Sequence, residues 1–207
     1  MKIQNHYLLA MSILLLVTCC EEPDNSSVSE VSVNKFSDST LLDIYKLQDE
    51  RKAEEIAAYF TSEIPEYRRE AAMAMASVQD PAMIPFLAVL LDDPDSQVRS
   101  SAAYALGQTY DSAALPHLAQ AMLQEDSARV VREIVESMGK VITQDSINIL
   151  HSFVPESDPG KEGLSWGLYR AGLRNVHDPE SVRRAMSLLD TSNTYLTRLG
   201  AAHFLSR

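Results

Sequence analysis

The residues with most capacity for chemistry beyond the first few positions are four histidines, His117, His151, His177 and His203. None of the four belongs to a recognisable helical metal-binding motif such as His-Glu-x-x-His. His177 and Asp178 are adjacent in a loop and read as an exposed pair, while His117 reads as a solvated histidine on a helix. No glycine-rich phosphate loop and no Gly-x-Ser-x-Gly elbow occurs, and no serine sits in a recognisable nucleophile setting. The two cysteines, Cys19 and Cys20, are neighbours, and the ring a bridge between them would close is strained. No thiol follows residue 20, which removes a disulfide framework, a thiolate zinc site and a cysteine nucleophile from the rest of the chain. These patterns predict no catalysis, no metal and no cofactor.

The bulk composition points to packed helices. Of 207 residues 45% are hydrophobic but only 7% aromatic, and alanine, leucine and methionine are plentiful. The formal net charge is −11. Such a surface repels phosphate backbones, which argues against nucleic acid, and offers no basic patch to anionic lipid. Basic or neutral proteins and peptides remain as partners.

The N-terminus reads as an address. Lys2 precedes an apolar run from Tyr7 to Val17, about half the length a spanning helix needs. The run ends Leu16-Val17-Thr18-Cys19, which resembles the lipobox of bacterial lipoproteins, with Thr18 in place of the usual Gly, Ala or Ser. The resemblance implies cleavage before Cys19 and acylation of its thiol; Cys20 is the alternative acceptor. Residues 1–18 are then a signal peptide and 19–37 a polar, non-periodic tether. The location implied is the bacterial cell envelope, lipid-anchored at the outer membrane and facing the periplasm or the surface, with several acyl chains making the anchor stable.

From residue 38 the chain repeats itself. Tyr67-Arg-Arg-Glu-Ala-Ala-Met-Ala-Met-Ala76 aligns with Val98-Arg-Ser-Ser-Ala-Ala-Tyr-Ala-Leu-Gly107 at an offset of 31. Val130 to Gly139 follows at 32, anchored on Gly107 and Gly139, and Arg198 to Leu205 matches Arg99 to Leu106 three periods on. Each unit reads as helix, turn, helix. Val98, Ala102, Ala105 and Leu106 share one helical face, Asp111 and Ser112 offer N-cap oxygens, and Pro116 falls near the start of the second helix. Asp92-Asp-Pro-Asp95 turns the chain into the next unit.

Residues 92–107 are similar to the HEAT family, specifically the short HEAT-like repeats of phycobilin lyases, with their Asp-Pro, Val-Arg, Ala-Ala and Ala-Leu-Gly pattern. The resemblance implies an all-α, right-handed solenoid of about five helix-turn-helix repeats over 38–207, the last incomplete, with a longer joint near 154–163. Residues 193–207 supply only the first helix of a repeat, so the expectation is the opening section of a longer scaffold. Stretches such as Asn34 to Asp38 and Gln48 to Arg51 also resemble the N-terminal part of Bacteroidetes lipoproteins in which such repeats precede a cyclophilin-type peptidyl-prolyl isomerase domain. No part of a cyclophilin barrel is present in this sequence.

Two residue sets follow from the repeat register. Arg68, Arg99 and Arg198 recur beside the recurring Asp80 and Asp111, which suggests a structural ladder between repeats. In a HEAT-like solenoid the second helices line the concave face. There Glu55, Phe86, His117, Ile149 and Arg184 stack in one row, with Val89 beside it, and mark a peptide groove; the alternative is that Phe86 and Ile149 pack on adjacent repeats. The single Trp166 reads as core. The function expected is a membrane-tethered protein-protein interaction scaffold without catalysis, the alternative being an accessory domain of the isomerase.

Overall fold

The computed structural model describes residues 37–207. The segment expected to be a signal peptide, Cys19 and Cys20, and most of the expected tether lie outside the described residues.

Five helix pairs follow one another. They are α1 (Ser39–Asp49) with α2 (Ala53–Ala57), α3 (Pro65–Val78) with α4 (Ile84–Val89), and α5 (Ser96–Gln108) with α6 (Leu115–Met122). Then come α7 (Ala128–Val141) with α8 (Asn148–Ser152), α9 (Asp158–Leu173) with α10 (Pro179–Leu188), and finally α11 (Tyr195–Leu205). Each first helix packs on the next, α1 through α11, while each second helix packs on its own partner or the following first helix. The described residues are an all-α solenoid.

Local chemistry sets the boundaries. Asp38 accepts from the N–H groups of Thr40 and Leu41, and Asp95 from those of Gln97 and Val98, so α1 and α5 begin on capped turns. Asp80 and Asp111 cap the short 3-10 turns Pro81–Met83 and Ser112–Ala114 that lead into α4 and α6. Pro85 and Pro116 sit in the first turn of those helices, where a missing N–H leaves nothing unpaired. In four of the five pairs the inner turn is closed by a left-handed residue, Arg51, Gln79, Tyr110 or Asn175, whereas α7 ends on the extended Ile142.

One core runs the length of the array, through Ile44, Ile56, Met75, Leu87, Leu106, Leu118, Ile134, Met138, Leu150 and Leu164. Small residues let the first helices approach. Ala71, Ala72, Ala102 and Ala103 are fully buried. Between α7 and α9 glycine takes over: a Cβ on Gly139 would lie 2.1 Å from the Gly167 carbonyl oxygen, and one on Gly163 2.6 Å from that of Arg132. This backbone contact lets the stretch around Trp166 pack on α7 as a repeat.

The joint differs from expectation. Only 153–157 is irregular, because Ser157 caps the N–H of Gly160 and α9 starts at Asp158. Trp166 is half-buried, not core. Its ring meets Tyr169 at 5.7 Å and His203 at 5.9 Å, an aromatic group shared by α9 and α11.

Candidate protein-binding face

Most second helices are short, and α4, α6 and α10 carry a proline in their first turn, so each of the short ones presents few side chains outward. On α4 the inward set is Ile84 and Leu87, with Leu90 and Leu91 of the following 3-10 turn. Phe86 and Val89 point the other way and are 54% and 71% exposed. Glu55 on α2 is exposed and lies 3.5 Å from Lys52. His117 on α6 is exposed too and lines a groove of about 260 Å³ with Ala88, Leu91, Asp92, Gln120 and Gln124. The row is therefore open from Glu55 to His117.

Further along it closes. Ile149 is half-buried against the core. Arg184 donates to the carbonyls of His151 and Phe153, so its guanidinium satisfies the C-terminus of the five-residue α8. Those two residues are packing elements and offer little to a partner.

The arginine ladder exists with different acids from those expected. Arg68 makes a bidentate pair with Asp93, at 2.6 and 2.8 Å, and also donates to the Ser62 carbonyl at 2.7 Å. Arg99 repeats this with Glu125, at 2.8 Å for both bonds, and with the Asp93 carbonyl at 2.9 Å. Each guanidinium thus ties two successive turns together. Asp80 and Asp111 are occupied as caps and face no arginine. Arg198 has no such carboxylate, and its Nε is buried without an acceptor among the described residues.

Burial raises the pKa values of Asp93 and Glu125, yet hydrogen bonds from Arg68 and Arg99, backbone N–H donors and the guanidinium charges outweigh it, leaving both below their ordinary values. A depressed carboxyl pKa stabilises fully above the unfolded-state value, and the contribution is lost as pH falls through the folded-state value. The melting temperature is accordingly expected to hold near neutral pH and drop below about pH 4. In Arg99→Met the acid-side drop should be shallower; an identical profile would contradict the assignment.

The histidines carry one arrangement that sequence spacing did not reveal. His151 Nε2 lies 3.0 Å from Ser181 Oγ and 3.3 Å from Asp178 Oδ1, residues of the next repeat that are distant in sequence but adjacent in space. It resembles a hydrolytic triad only in composition. Asp178 is the N-cap of α10 and holds both the N–H and the hydroxyl of Ser181, whose residue is fully buried. Serine and carboxylate converge on the same imidazole nitrogen, so nothing orients the other nitrogen for general-base work. This is a capping cluster. His177 is exposed and stacks edge-on to Phe204. Lys140 is 2% exposed, with its ammonium 3.9 Å from Glu133 and 4.5 Å from the Tyr104 ring centroid. Burial lowers the Lys140 pKa and raises that of Glu133, opposed by their mutual attraction. No group of three or more potential metal ligands occurs among the described residues. No helix among them is long and apolar enough to cross a membrane.

Helix pairs on a period of about thirty residues, a small-residue seam and an inter-repeat arginine ladder define a HEAT-like repeat solenoid. Residues 53–139 match the family described as HEAT repeats. A solved structure similar in fold is the complex of CpcE and CpcF of phycocyanin lyase from Nostoc sp. PCC7120, at a TM-score of 0.57 and 19% identity, over 79% of this chain and 70% of that one. Among curated proteins no match was found.

Proposed function

We propose that this protein is a lipid-anchored scaffold of a bacterial cell envelope, which binds a protein or peptide partner on the face of its second helices and catalyses nothing itself. The observation that carries this is the pair Phe86 and Val89, large apolar side chains exposed on α4, the helix whose Ala88 lines the groove with His117. HEAT-like arrays serve widely as protein-binding surfaces, and the similar phycocyanin lyase structure is itself a complex of two proteins. The acidic balance favours a basic or neutral partner over nucleic acid.

The double substitution Phe86→Ser, Val89→Ser should leave the melting temperature nearly unchanged, because both side chains face solvent. It should reduce recovery of a chemically cross-linked partner from envelope membranes by about tenfold. Equal recovery with an intact fold would sink the proposed face. The anchor is tested separately by metabolic labelling with a fatty acid. The wild type should be labelled, and label should vanish in Cys19→Ser and persist in Cys20→Ser; the reverse pattern would move the acceptor to Cys20, and an unlabelled wild type would remove the anchor. An accessory role beside a cyclophilin-type isomerase rests on sequence resemblance alone. An in-frame cyclophilin sequence after codon 207 would support it, and a stop there would remove it.

A further inference from the structure

The fourth repeat breaks the arginine ladder and leaves a cleft in its place. The fourth helical position of the first helices holds Arg68 in α3 and Arg99 in α5, but Val131 in α7. The paired acid stands two residues before the next N-cap: Asp93 before Asp95, and Glu125 before Ser127. Before Ser157 that place is Pro155. Both members of the ion pair are thus replaced together, by an aliphatic residue and a proline. The neighbouring Arg132 does not substitute, since its Nε is committed to Glu162 on α9 at 2.6 Å.

Between the earlier turns the corresponding space contains Arg99 and is chiefly polar. Between the turns after α6 and α8 it is a cleft of about 690 Å³, lined by Met122, Leu123, Val131, Phe153 and Val154, with Asp126 and Glu156 also on its walls. Leu123 and Val154 are 76% and 75% exposed, and the Asp126 side chain is 93% exposed. Asp126 lies 3.4 Å from the Arg99 guanidinium but stays open to solvent, and Glu156 is exposed; apolar walls beside these carboxylates, on a chain of net charge −11, select for an apolar group accompanied by positive charge.

We propose that this cleft is a second docking site, which takes an apolar side chain from a peptide segment of a partner protein with arginine or lysine beside it. The anchor fills the space against Val131 and Phe153. The adjacent cation lies over Asp126 and Glu156, in the region that the Arg99 guanidinium occupies one repeat earlier. None of these residues belongs to the Phe86, Val89 and His117 face, so the two sites stand or fall independently.

The test is fluorescence anisotropy of the full chain with a labelled peptide, Arg-Leu-Phe-Arg-Leu-Arg, and its counterpart carrying glutamate for each arginine. The basic peptide should bind at least about tenfold more tightly, and more weakly as salt rises. Leu123→Ser with Val154→Ser, both at exposed positions, should weaken it about tenfold at unchanged melting temperature. Val131→Arg should block the cleft, whereas Phe86→Ser with Val89→Ser should leave this binding as it was. Equal affinity for both peptides, or full affinity in the Leu123, Val154 double variant, would overturn the proposal. So would a dimer in sedimentation that dissociates in that variant, because the cleft would then be a contact between copies.

Discussion

Gly139→Ala is expected to destabilise the protein by about 3 kcal/mol, although alanine is the better helix former by about 1 kcal/mol. The reason lies across the interface. The added methyl would sit 2.1 Å from the Gly167 carbonyl oxygen and 2.6 Å from its Cα, both backbone atoms that no rotamer change can move. α7 and α9 would have to separate, losing contact along the whole seam that buries Ile134, Met138, Leu164 and Leu168. Gly160→Ala is the matched control. Its Cβ would come no closer than 3.3 Å to a side chain, so its effect should lie within about 1 kcal/mol of zero. Thermal melts of the two variants decide the matter. A chain this size shifts by about 2–4 °C per kcal/mol, so the Gly139 variant should melt roughly 10 °C lower and the Gly160 variant close to wild type. Similar melting points for the two would mean that the α7–α9 seam is not a tight backbone contact.

The second large effect is at the ladder. Arg68→Met should cost about 3 kcal/mol, because it strands Asp93, whose side chain is only 5% exposed. Most of that cost is the unpaired buried carboxylate, not the intrinsic worth of the pair. Arg68→Met combined with Asp93→Asn should therefore be more stable than Arg68→Met alone, a positive coupling that a double-mutant cycle measures. Lys46 and Glu50 form a pair at 3.9 Å with side chains 68% and 47% exposed, and Lys46→Gln should change stability by less than about 0.5 kcal/mol. Equal effects at Arg68 and Lys46 would contradict the ladder's structural role.

Sequence reasoning reached the architecture because the repeat register is local. Val98, Ala102, Ala105 and Leu106 declare a buried helical face, and Asp111 with Pro116 marks the next start. The acids of the ladder were harder to read. Each turn offers several carboxylates, and only the fold shows that Arg68 and Arg99 reach Asp93 and Glu125 while Asp80 and Asp111 are taken by backbone N–H groups. The same holds for the outward row. Helical phase places Phe86, His117 and Ile149 in register, but phase alone cannot say that α8 is short enough to need Arg184 across its end. The cleft had a trace in the sequence: the register that aligns Gly107 with Gly139 also sets Val131 against Arg99. Its meaning depended on knowing what Arg99 holds. His151, Ser181 and Asp178 converge only because consecutive second helices lie side by side.

A partner seated on the second-helix face would lie within reach of Phe86, Val89 and His117. Site-specific photo-cross-linking in living cells tests it most directly, with the reactive residue placed at Phe86, Val89 or His117 and, as control, at Lys46 on α1. A discrete adduct of the same mass is expected from the three row positions and none from Lys46. The same adducts from all four positions, or none from the row, would contradict it.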